Sequence, residues 1–190
     1  MKKIFFFLFL LLALDMSAQK LRVTSPDGNI QMEINNGNRL SYSVTYGGKK
    51  LIGDSPLGFE FKNEKPMQAG LELMNNPQMT FADEAWSPVV RNRHKSIHLK
   101  WNEMTLNLRE KEGERRQMDF IVRVYDNGVA FRYQLYGGRK IGNRQITREL
   151  TGFSLPENAT GWAAKYKRNY TSSQESEFVP TVLNALPADT

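Results

Sequence analysis

The sequence has 190 residues, 40% of them hydrophobic, which suits a single domain able to bury a sizeable core. Lys and Arg number 26 against 20 Asp and Glu, a formal charge of +6, so a polyanionic partner has to be weighed. The absence of Cys excludes disulfide staples, thiolate metal sites, a Cys nucleophile and a lipoprotein anchor, and two His leave little room for imidazole chemistry.

The chain opens with basic Met1-Lys2-Lys3, runs apolar from Ile4 to Leu14 and reaches the small residues Ser17-Ala18 before Gln19, the layout of a Sec signal peptide. Spanning a bilayer takes about 20 apolar residues, and Asp15 ends this run well short of that. The expectation is a signal over residues 1–18 and an exported, soluble, mildly basic domain over residues 19–190, periplasmic or secreted, with no membrane contact after cleavage.

From there the pattern is period two. Ile30, Met32 and Ile34 share one face of a strand, and Leu40, Tyr42, Val44 and Tyr46 share one face of the next. Pro56, Pro66, Pro77 and Pro88 then predict broken strands and long connections. Alternation resumes at Ile97, Leu99 and Trp101, at Met104, Leu106 and Leu108, at Met118, Phe120, Val122 and Val124, and at Val129, Phe131, Tyr133 and Leu135. Turn chemistry separates the runs at Asp27-Gly28, Asn36-Gly37, Gly47-Gly48, Asn102-Glu103 and Asp126-Asn127-Gly128. Short turns make neighbouring strands antiparallel, and residues 117–125 and 128–136 are expected to form a central hairpin with Phe120, Val122, Phe131 and Tyr133 inward. No segment has sustained helical periodicity. An all-β antiparallel sandwich follows, because strands with one apolar face each need a second sheet to cover them.

The basic excess lies in residues 87–150, which carry twice as many Lys and Arg as Asp and Glu. Nucleic-acid binding is nevertheless disfavoured: Glu110, Lys111, Glu112, Glu114, Arg115 and Arg116 mix both signs in one loop, and Arg123 and Arg132 sit singly on the polar faces of strands. His94 and His98 are four apart, a zinc spacing on a helix but not on a strand. Asp126-Asn127-Gly128 lacks the repeated carboxylates of a calcium loop and reads as a turn.

Beyond Pro156 the strand pattern gives way to Trp162, Tyr166, Tyr170 and Phe178 among Lys165, Lys167, Arg168, Glu175 and Glu177. Rings beside charged hydrogen-bonding groups suit a sugar, whose apolar face stacks while its hydroxyls take polar partners. They equally suit a rim that packs on another domain, since interfaces favour Trp and Tyr. Trp162, Tyr166, Tyr170 and Glu175 are therefore the candidates for substrate contact or a domain interface. Glu149, Glu175 and Glu177 could supply carboxyl groups for glycoside hydrolysis, but their spacing selects no pair.

Several segments taken in order resemble the N-terminal domain of glycoside hydrolase family 97, the periplasmic α-glucosidase and α-galactosidase family typical of Bacteroidetes. They are Ser25-Pro26-Asp27-Gly28-Asn29-Ile30, Leu40-Ser41-Tyr42-Ser43-Val44, Ser55-Pro56-Leu57-Gly58, Asn102-Glu103-Met104-Thr105-Leu106 and, most specific, the run from Phe120 through Asp126-Asn127-Gly128 to Tyr133. Thr147-Arg148-Glu149-Leu150-Thr151-Gly152-Phe153 continues the likeness. The resemblance implies a β-super-sandwich of the galactose-mutarotase-like type, incomplete here at its C-terminal end, followed in the family by a catalytic (β/α)₈ barrel and a small β domain. It implies calcium in the full-length enzyme, with the catalytic carboxylates and the calcium ligand of the N-terminal domain beyond residue 190, so that no catalytic or metal residue is carried onto this chain. The expected partners are an oligosaccharide substrate and the barrel of the same polypeptide; a free-standing carbohydrate-binding or adhesion module is the alternative.

Overall fold

The structure is a computed structural model describing residues 21–91, 93–136, 142–164 and 177–186. The first sheet is a four-stranded antiparallel meander of β1 (Leu21–Thr24), β2 (Ile30–Asn36), β3 (Leu40–Tyr46) and β4 (Lys49–Pro56). Its turns fall where the sequence placed them. Gly47 and Gly48, at φ 52° and 79°, make the two-residue reversal between β3 and β4, a geometry that favours glycine at both positions. In the β1–β2 turn Asp27 accepts hydrogen bonds from the Ser25 hydroxyl, the Asn29 backbone N–H and the Asn29 amide. These bonds, the Ser25 one foremost, hold the Asp27 carboxyl below its ordinary range.

The second sheet is built on one long strand. Chain order gives β5 (Phe59–Phe61), β6 (Leu71–Leu73), β7 (Gln78–Trp86), β8 (Ile97–Glu110), β9 (Gln117–Tyr125) and β10 (Gly128–Leu135). In space β10, β9, β8 and β6 lie side by side, and β7 pairs with the first part of β8. Two small sheets complete the described fold: β5 pairs with β11 (Ile146–Glu149), and β12 (Thr160–Ala163) pairs with β13 (Val179–Val182). Among the described residues the only helical element is a 3₁₀ turn, Leu183–Ala185, and no helix is long and apolar enough to cross a membrane.

The two large sheets bury the expected alternating positions against one another. Val23, Met32, Leu40 and Tyr42 meet Met104, Leu106, Phe120 and Val122 in one cluster. The β9–β10 hairpin pairs Phe120 with Tyr133 and Val122 with Phe131, as the alternation requires. Phe131 packs 5.3 Å from Tyr42 across the sandwich and 5.4 Å from Phe120, centroid to centroid.

Three expectations need correction. Asn102-Glu103 is not a turn: β8 runs unbroken for 14 residues. The apolar pattern changes parity there because the strand exchanges apolar faces, not because it reverses; Met104, Leu106 and Leu108 point into the sandwich, whereas Trp101 lies on the opposite face with Arg123 above its ring at 4.7 Å. The proline-containing stretch also holds a full strand, the nine-residue β7, in the proline-free interval between Pro77 and Pro88. Finally, Arg116 is not part of a solvated loop. Its guanidinium is buried, donates to Glu110, Glu64 and the Lys65 carbonyl, and lies 4.6 Å from the centre of the Phe61 ring.

Candidate functional site

Residues 150–154, just before the C-terminal aromatic edge in the chain, form a strap bonded along residues 53–58. The Leu150 N–H donates to the Gly58 carbonyl at 2.8 Å, Gly152 to Pro56 at 3.0 Å and Ser154 to the Ser55 hydroxyl at 2.9 Å, while the Gly53 N–H donates back to the Ser154 carbonyl at 2.7 Å. Close approach depends on two glycines. A Cβ on Gly152 would lie 2.8 Å from the Pro56 ring, and one on Gly58, whose φ is +134°, would lie 2.5 Å from the Met67 carbonyl oxygen.

Two tyrosines reach out of the core to fix the same strap. The Tyr42 hydroxyl donates to the Gly152 carbonyl at 3.0 Å. The Tyr133 oxygen accepts from the Gly58 N–H and shares a 2.8 Å hydrogen bond with Thr151, whose hydroxyl in turn meets Glu149 at 2.6 Å. Burial pushes the Tyr133 phenol up to about 12 and raises that of Tyr42. Both phenols are therefore neutral hydrogen-bonding posts over the ordinary pH range.

The strap leads into the β12–β13 ribbon, where Trp162 stands opposite Pro180 and Thr160 opposite Val182. Partners directly across an antiparallel ladder share a face, so Trp162, Pro180 and Val182 make one apolar surface. Trp162 is 71% exposed and Val182 and Phe178 are exposed near it in the chain. Gly161 leaves the room on the other face that Leu183 takes, since a Cβ there would come within 2.7 Å of that side chain. Tyr166, Tyr170 and Glu175, expected beside Trp162, lie outside the described residues. Glu149 is exposed and engaged with Thr151, and Glu177 is exposed just before β13.

Elsewhere, a groove of about 750 Å³ is lined by aliphatic side chains, Leu21, Ile34 and Leu71 among them, together with polar groups such as Glu33, Lys50 and Asp54. Among the described residues its one ring is that of Tyr42, which is committed to the core and to Gly152, so the described lining lacks the stacking platform that the ribbon presents. His98 pairs with Asp83 on the β7–β8 ladder, a bond that lowers the Asp83 carboxyl, and Lys100 reaches the same carboxylate at 3.2 Å. Among the described residues no three His, Cys, Asp or Glu side chains gather as a metal set. Sequence reasoning singled out Trp162 from its composition but missed Tyr42 and Tyr133 as holders of the strap. Their alternation places them in the core, and only the strap's position shows where their hydroxyls go.

The family model described as "Glycosyl-hydrolase 97 N-terminal" matches residues 23–190. A "Probable retaining alpha-galactosidase" of Streptomyces bingchenggensis is 29% identical over 77% of this chain, and a "Retaining alpha-galactosidase" of Bacteroides thetaiotaomicron is 25% identical over 100% of it. The chain spans only 21% and 27% of those two relatives. A glycoside hydrolase family 97 enzyme of Pseudoalteromonas sp. strain K8, solved in complex with panose, superposes with a TM-score of 0.77 at 27% identity, over 87% of this chain and 25% of that one.

Proposed function

Because the chain belongs to the glycosyl-hydrolase 97 N-terminal family, we propose that it serves as the N-terminal β-sandwich of an exported, calcium-dependent α-glycosidase, an α-glucosidase or α-galactosidase acting on oligosaccharides in the periplasm. The observation that carries this reading is the family match over residues 23–190 together with relatives about four times as long that hydrolyse α-galactosides by name. The sandwich itself is an accessory: it builds part of the substrate pocket and packs on the catalytic portion of the longer polypeptide. Its contribution is the Trp162 ribbon, an exposed indole and proline face that follows in the chain on a strap that Tyr42 and Tyr133 tie to the core. Such a surface can stack on a sugar ring or close the rim of a pocket, and in either role it needs a fixed position more than it needs reactive groups.

Calcium belongs to this reading as a ligand of the longer protein. The described residues do not fit a calcium site of their own, since no set of three carboxylates or imidazoles converges among them. No step is therefore routed through the metal on this chain. The test compares the 190-residue chain with the longer protein on p-nitrophenyl α-glucoside and α-galactoside, with and without calcium. The expected result is calcium-stimulated release of p-nitrophenol by the longer protein and none by the 190-residue chain. Hydrolysis by the short chain, or no hydrolysis of either glycoside by the long one, overturns the proposal.

A further inference from the structure

At three steps in the chain an Asp or Asn stands directly before Gly: Asp27-Gly28, Asn36-Gly37 and Asn127-Gly128. Here the backbone can react with its own side chain, because a following glycine leaves the peptide nitrogen uncrowded. The fold treats the three steps differently. Asp27 accepts from the Ser25 hydroxyl, the Asn29 N–H and the Asn29 amide, and the Gly28 N–H donates to the Ser25 carbonyl at 2.9 Å. A carboxylate held in this way is a poor electrophile. Asn36 is half-buried; its amide donates to the Leu71 carbonyl at 3.2 Å, and the Gly37 N–H donates to the Asn35 side-chain oxygen at 2.9 Å. Both the reacting carbon and the reacting nitrogen of that step are restrained.

Asn127 lacks this restraint. It is exposed in the turn between β9 and β10, and its side chain makes no hydrogen bond among the described residues. Gly128 pairs with Tyr125 at the end of the β9–β10 ladder, and the end of a ladder opens more readily than its middle. The turn does not need glycine for its shape. Gly128 has no positive φ, and a Cβ built on it would meet nothing within 4 Å. What its missing side chain does provide is open access to its nitrogen.

We propose that Asn127 is a site of spontaneous deamidation, converted through a cyclic succinimide with Gly128 to isoaspartate and aspartate. The Gly128 nitrogen, after losing its proton to hydroxide, attacks the side-chain carbonyl carbon of Asn127. The new C–N bond closes the ring, the bond from that carbon to Nδ2 breaks, and the nitrogen leaves as ammonia with a proton from water. Water then opens the ring at either carbonyl, giving aspartate or, where the chain continues through the side-chain carbon, isoaspartate. The change falls at a joint between the two sheets, since the neighbouring Asp126 carboxylate accepts the Asp27 N–H at 2.9 Å. It places a new carboxylate in a groove of about 260 Å³ that Asn127 lines together with Lys100 and His98. The inference is independent of the glycosidase reading.

The experiment incubates the longer protein, folded and in urea, at mildly alkaline pH and maps its peptides by electron-transfer fragmentation, which distinguishes isoaspartate from aspartate. The expected result is accumulation of both products at residue 127 in the folded protein while Asn36 keeps its amide, with both asparagines converting in urea. Gly128→Ala should remove most of the product at 127 and leave the urea midpoint in place, because the added methyl group fits without a clash. Asn127 intact in the folded protein after the unfolded sample has converted overturns the inference. So does equal conversion of Asn36 and Asn127 in the folded protein, or undiminished product at 127 in Gly128→Ala.

Discussion

Replacing Arg116 with Met tests whether the second sheet is clamped by a buried ion pair. The guanidinium side chain is 3% exposed; its Nε donates to Glu110 at 2.8 Å, its Nη1 to Glu64 at 3.1 Å and its Nη2 to the Lys65 carbonyl at 2.8 Å, with a second contact to Glu110. The hydrogen bond to Glu110 is the first cause holding the Arg116 pKa above its ordinary value. Glu64 keeps Arg144 after the change, but Glu110, whose side chain is 12% exposed, loses its only guanidinium partner among the described residues. Breaking one half of such a pair costs about 3–5 kcal/mol, because a charge is left desolvated, whereas replacing both halves with apolar groups is often near neutral. Arg116→Met should therefore lose about 3–5 kcal/mol in equilibrium urea unfolding, and adding Glu110→Leu should recover most of that loss. Salt should change the deficit little, since buried charges are weakly screened. A single-variant loss below about 1 kcal/mol, or a double variant no more stable than the single, would refute the clamp.

Phe131→Ala should cost about 3 kcal/mol, toward the lower end for aromatic truncation because Phe131 is only partly buried between Tyr42 and Phe120; a urea-unfolding loss under about 1 kcal/mol would mean the β9–β10 register is wrong. Tyr133→Phe leaves the Gly58 N–H and Thr151 hydroxyl short of a partner and should cost about 1–2 kcal/mol. The same residue gives a pH signature. Its folded pKa of about 12 exceeds the ordinary 10.0, so the folded state holds the proton more tightly, and the associated stability is fully present below pH 10.0 and lost as pH rises toward about 12. Unfolding curves of Tyr133→Phe should decline less across that alkaline window than those of the wild type; equal slopes would detach the phenol from the fold.

The parts of the fold that were legible in the sequence are those in which one strand face meets the core along its whole length. Ile30, Met32 and Ile34 announce β2, and Phe120, Val122 and Val124 announce β9, because period-two alternation and burial coincide there. β8 was misread because its apolar face changes sides between Trp101 and Met104, and a local pattern cannot distinguish that change from a reversal. β7 was hidden for a related reason: its polar positions, Asp83 among them, and its uncovered Met79 and Phe81 carry no consistent one-sided signal. Arg116 defied its charged surroundings because its partners Glu64 and Lys65 arrive from a segment about fifty residues earlier. At the site, Trp162 was legible as a large ring in a segment without strand alternation, whereas the strap that precedes it rests on Tyr42, 110 residues from Gly152 in the chain.

The most direct test of the account is the kinetics of Trp162→Ala in the longer protein, with its thermal unfolding measured alongside. An exposed indole on a pocket wall or rim predicts a fall of at least tenfold in kcat/KM toward an α-linked oligosaccharide, equivalent to about 1.4 kcal/mol of transition-state binding, with the melting temperature nearly unchanged because the residue is 71% exposed on its ribbon. Unchanged kcat/KM together with a large drop in melting temperature would contradict it, and would make Trp162 a packing residue.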